Sequence, residues 1–143
     1  MKAVVVILMG VLLSVGVCSF AVDERKEISM ENAMKALCGT WTNPGGEGSD
    51  KDIYYSDGTF ELYHTVESLA PFTKEKYKIL DAWTDNDGNI WIFSERTFVY
   101  SKYALYKISD AGAVIEIAPL FDNKNLDGVD IENMTFPYKS YRQ

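Results

Sequence analysis

The stretch LCGTWTN, residues 37 to 43, divides the chain into two unlike parts. Before it, Met30, Ala33, Met34 and Leu37 recur at helical spacing, with Ser29 able to cap the start and Gly39 suited to the end. This predicts one short amphipathic helix, whose narrow apolar stripe must lie against something larger. Gly39 then lets the chain turn sharply, and Trp41 brings a large apolar ring directly behind the turn.

Everything after Gly39 reads as strands. Candidate segments cover residues 40–42, 51–55, 59–66, 74–83, 89–95, 98–108, 113–118 and 134–141, rich in Tyr, Phe, Trp, Val and Ile. SDGT at 56–59, DNDGN at 85–89 and SDAG at 109–112 supply the Asp, Asn and Gly of tight hairpins, so sequential neighbours pair antiparallel. The fold class is therefore all-β: about eight antiparallel strands in an up-and-down meander, which can close into a barrel and remove its own edges. Propeller blades of about 40 residues would leave room for only three. Residues 43–50 and 122–133 read as loops, and no low-complexity linker splits the chain.

The first residues, MKAVVVILMGVLLSVGVCSFA, carry Lys2, an apolar run from Ala3 to Leu13 and small residues near a cut, the pattern of an export signal. The run is too short and too early for a membrane span. Ser19 and Ala21 place cleavage after Ala21, which leaves 22–143 as a single domain, periplasmic or secreted. A lipid anchor at Cys18 is the alternative route, although Val17 is larger than the small residue such a box has before its cysteine. Either way Cys38 is the only unmodified thiol left, so the core must hold without an internal disulfide. Loss of Lys2 leaves 13 basic residues against 21 acidic ones, a formal charge of −8. That balance argues against nucleic acid and anionic membrane surfaces as partners.

A helix ending in Gly-x-Trp, here Gly39 to Trp41, followed by an up-and-down series of strands, resembles the lipocalin-like families of small exported bacterial proteins and, more distantly, the lipocalins. The resemblance implies a barrel with Trp41 sealing one end and a late arginine packed on it by cation–π contact. Arg142 is the matching residue, with Arg96 as runner-up. The Thr-Asp-Tyr segment of a late lipocalin loop is absent, so lipocalin-like is the applicable name.

Strand alternation puts His64, the only histidine, on the face of Phe60, Leu62 and Val66, where it would be either a polar handle in a cavity or a hydrogen-bonded residue at a strand end. One histidine and one thiol make neither a zinc site nor a catalytic set with an orienting group. Asp85, Asp87 and Glu61 offer carboxylates, but the first two are ordinary hairpin residues and Glu61 alternates outward. Asn123, Asn125 and Asp127 have the spacing of the first half of a calcium loop, whereas Met134 stands where its bidentate Glu should be, so no metal or cofactor is expected.

The sequence thus points to a non-enzymatic barrel that binds a small apolar or amphipathic ligand, or a lipid. Its expected pocket is Phe60, Leu62, His64, Tyr77, Ile79 and Trp91. The alternative is a barrel filled by its own aromatics, acting as an envelope or extracellular interaction protein through exposed tyrosines and the 122–133 loop.

Overall fold

The Ser29 side chain accepts a hydrogen bond from the Asn32 backbone N–H at 3.1 Å and starts helix α1, Met30–Leu37. The helix buries Ala33 and Leu37, while Met30 stays exposed. These features belong to a computed structural model that describes residues 25–120 and 126–143. The first 24 residues, with Cys18 and Ala21, and the loop residues Asn123 and Asn125, lie outside the described residues.

Strand β1 (Lys26–Glu27) precedes the helix, and eight strands follow: β2 (Gly39–Thr42), β3 (Lys51–Tyr54), β4 (Thr59–Tyr63), β5 (Thr73–Thr84), β6 (Ile90–Arg96), β7 (Tyr103–Ser109), β8 (Val114–Leu120) and β9 (Tyr138–Arg142). Each of these eight pairs antiparallel with the next, and β9 returns to β2 through Trp41↔Arg142 and Thr42↔Tyr141. The result is the closed eight-stranded up-and-down barrel that the resemblance implies. β1 adds a short pairing to β5 at Thr84 and Trp83. Among the described residues no helix is long and apolar enough to cross a membrane.

The two barrel ends differ in a way that follows from the turn chemistry. Residues 55–58, 85–89 and 110–113 turn tightly at the end where α1 sits. The longer connections 43–50, 64–72 and 97–102 gather at the other end. A barrel built this way is stoppered on one side and open to elaboration on the other.

Several elements depart from the sequence reading. The segment expected as a strand from Phe98 begins only at Tyr103, because residues 98–102 form a turn in which the Ser101 N–H donates to the Phe98 carbonyl at 3.2 Å. The last strand begins at Tyr138 rather than Met134. Met134 and Phe136 instead pack, with Leu126 and Ile131, over a second apolar cluster of Trp83, Trp91, Phe93, Tyr103 and Leu105.

That second cluster lies on the outer wall, since the alternating neighbours Ile92, Ala104 and Tyr106 belong to the interior cluster. A register slip between Ile79 and Asp81 contributes. Tyr77 and Ile79 face inward, the bulge resets the alternation to Ala82, and Trp83 is sent outside, stacked 6.0 Å from its cross-strand partner Trp91.

The stoppered end is tied together around Trp41. This side chain is fully buried and its indole N–H donates to the Leu37 carbonyl at 2.9 Å. The Arg142 guanidinium lies 4.1 Å from the Trp41 ring centroid and donates to the carbonyls of Cys38 (2.8 Å), Gly112 (2.8 Å) and Ala36. One side chain thus satisfies carbonyls at the helix end that have no intrahelical partner, and places a cation at the negative end of α1.

Gly39 has φ +127°, and a Cβ there would lie 2.9 Å from Arg142 Nη1. Because that guanidinium is pinned by three carbonyls, it has little freedom to move aside. Gly39→Ala is expected to cost about 2–3 kcal/mol, toward the upper end of backbone-strain penalties. Gly88→Ala is the control: its φ is also positive, but no atom crowds the site. Equal losses in denaturant unfolding would show that Arg142 does not fix the position of Gly39.

Candidate functional site: a cavity at the open end of the barrel

The interior is filled in its lower half and hollow above. Tyr54 contacts Phe60 at 5.5 Å, Tyr77 at 5.7 Å and Tyr106 at 5.7 Å between ring centroids, which makes an aromatic floor across the barrel. Above it, toward the long connections, is a cavity of about 380 Å³. Its walls are Leu62 on β4, Ile117 and Pro119 on β8 and Ser140 on β9; Phe72 and Phe98 close in from the 64–72 and 97–102 connections.

Three charged side chains line this cavity: Glu47, which is exposed, and two that are buried, Asp52 on β3 and Arg96 at the end of β6. Asp52 Oδ1 accepts a hydrogen bond from the Ser49 hydroxyl. Burial pushes the Asp52 carboxyl up to about 6, an effect that the Ser49 hydrogen bond and the charge of Arg96 offset only in part. Arg96 Nε donates to the Ser101 carbonyl at 3.4 Å, and its Nη2 donates to the Ser101 hydroxyl. The guanidinium carbon lies 5.8 Å from the Phe60 ring centroid and 5.5 Å from that of Phe98.

The expected pocket residues are dispersed by the fold. Leu62 lines the cavity, and His64 stands at its rim, just beyond the end of β4, exposed and stacked on Phe72 at 4.2 Å. Phe60 lies in the floor, and Ile79 packs against the filled interior. Tyr77 is turned toward the helix end: its hydroxyl donates to the Tyr55 carbonyl at 2.7 Å and lies 3.7 Å from Cys38 Sγ. Trp91 is outside the barrel altogether, with its indole N–H donating to Asp85 at 2.9 Å. Its expected place in the pocket is therefore corrected. β6 is apolar on both faces, because residues 126–136 cover the outer one.

The candidate carboxylates occupy separate places. Asp85 collects hydrogen bonds in the turn between β5 and β6; burial opposes its ionisation, but donors from Trp91, Asn89 and Asp87 prevail and hold the carboxyl below its ordinary range. Glu61 lies on the outer face of β4, accepting from Tyr63 at 2.6 Å and Tyr55 at 2.9 Å, with Lys74 at 3.2 Å. Among the described residues no group of three or more His, Cys, Asp or Glu side chains is placed to hold a metal ion. Asp127 of the calcium-like spacing is exposed.

A second, larger depression of about 760 Å³ runs outside the barrel past Asp57, Lys76, Lys78 and Lys102, all exposed. It lacks the enclosing apolar walls that a small-molecule site needs. No family model, no curated protein and no solved structure matches this chain, so the cavity between Asp52 and Arg96 is read from its own geometry.

Proposed function

We propose that this chain is an exported, non-catalytic, lipocalin-like binding protein that holds one small apolar or amphipathic molecule in the open end of its barrel. The observation that carries this reading is the cavity of about 380 Å³ above the aromatic floor. Eight-stranded barrels have room for one small ligand, and this volume sits at the low end of the roughly 300–1,000 Å³ typical of small-molecule sites. Access is favoured by apolar side chains at the rim, where Phe72 and Tyr100 are exposed. Export is supported by the signal-like character of residues 1–21.

The filled-barrel alternative suits the packed lower half but leaves the upper cavity without a role. It also loses part of its contact surface, since Leu126 and Ile131 are engaged against the outer wall.

An environment-sensitive apolar dye, titrated into the full chain, is expected to bind one per molecule and to be displaced by small lipids. Leu62→Trp, which narrows the cavity, should weaken the dye by about tenfold or more, on the scale of losing one to two kcal/mol of buried contact. Lys78→Ala, on the outside, should leave it unchanged. A barrel that binds no dye, and carries no small molecule in native mass spectra of protein taken gently from its host, would sink the reading.

A further inference from the structure

Arg96 is 8% exposed, and the two hydrogen bonds of its side chain both go to Ser101. A guanidinium has five N–H donors, so three find no hydrogen-bond acceptor among the described residues. No carboxylate among those residues lies within ion-pair distance of it; Asp52, the other buried charge of the cavity, bonds Ser49 instead. The unbonded guanidinium nitrogen is not among the fully shielded polar atoms, and Arg96 lines the cavity; a charge so largely removed from bulk water is ordinarily paired with an anion. The Phe60 and Phe98 rings beside the guanidinium hold it but supply no anion.

The geometry points to Arg96 as the anion-recognition residue of the cavity, taking the carboxylate of a small amphipathic monocarboxylate whose apolar part lies against Leu62, Phe72 and Ile117. This rests on the ligand-binding reading above and names its ligand class. The planar fork of the guanidinium matches a carboxylate through two parallel hydrogen bonds. Asp52 and Glu47 also line the cavity and oppose every anionic charge placed there, so a ligand with two negative charges is disfavoured more than one with a single carboxylate. The volume suits a short or medium chain better than a long one.

Octanoate and 1-octanol have the same chain length and differ at the head group. In calorimetric titration of the full chain at pH 7, octanoate is expected to bind at least tenfold more tightly, as for a hydrogen-bonded pair with a charged group. Arg96→Met, which keeps the aliphatic stem, should abolish the preference and leave 1-octanol within about threefold; an apolar isostere of a buried charge is generally tolerated by the fold. Asp52→Asn should strengthen octanoate and not 1-octanol.

If wild-type protein binds both equally, or Arg96→Met weakens both alike, the assignment is wrong and the pocket reading survives. The first comparison needs no variant, so misfolding of Arg96→Met does not shield the proposal. If neither compound nor the dye binds, the pocket reading fails and takes this one with it.

Discussion

Trp41→Ala is expected to destabilise the barrel by about 3–5 kcal/mol, the range for truncating a fully buried large aromatic. The indole fills the stoppered end, where Leu37 and Ala33 of α1 meet the interior cluster. Its removal does more than open a void. Arg142 loses the ring it stacks on while its donors remain committed to Ala36, Cys38 and Gly112, so the hole is bordered by a cation that cannot follow the collapse. Collapse is what lowers the cost of large-to-small substitutions, and here it is obstructed. Chemical denaturation of the variant beside Tyr100→Ala, an exposed aromatic on the 97–102 turn, provides the scale, since surface changes usually stay within about 0.5 kcal/mol. A loss below about 1 kcal/mol for Trp41→Ala would show that the helix seals the barrel without it.

The stoppered end and the strand order were legible in the sequence because local chemistry specifies them. Ser29 caps, Gly39 alone tolerates φ +127°, and the Asp and Gly pairs at 57–58 and 87–88 make hairpins whatever lies elsewhere. Arg142 was found through resemblance rather than spacing. The cavity was less legible. Alternation gives two faces but does not say which one is inside, and in IWIFSER both are apolar, because a segment more than thirty residues away folds over the outer one. Leu80 and Asp81 add a bulge that no turn residue announces. The signal for the two buried charges was nevertheless present: Asp52 shares a face with Tyr54, and Arg96 shares one with Ile92 and Ser94. A charge on the inward face of a strand is worth more attention than a large aromatic, since aromatics suit either side of a covered wall.

Asp52→Asn is expected to stabilise the protein at neutral pH by about 3 kcal/mol and to do almost nothing in acid. Burial raises the Asp52 carboxyl from 3.8 to about 6. The folded state therefore holds a proton through a window in which the unfolded chain has released it. Folding takes up that proton, so this group lowers stability as pH rises from roughly 3.8 to 6, and the loss is complete above it. At about 1.36 kcal/mol per pH unit the total is roughly 3 kcal/mol. Asparagine is neutral throughout, and its carbonyl can still accept from Ser49, so it mimics the protonated acid. Denaturant unfolding from pH 3.5 to 7.5 should show the two proteins converging at the acid end and separating steadily to neutrality. Glu47, His64, Arg96 and Tyr54 face the same region and are common to both proteins, so the difference between the two isolates Asp52 to first order. An offset that does not change with pH would mean that folding leaves the Asp52 carboxyl at its ordinary value. A variant less stable than wild type at pH 7 would mean that Asp52 serves as counter-ion to Arg96, and that the guanidinium is not waiting for a ligand's carboxylate.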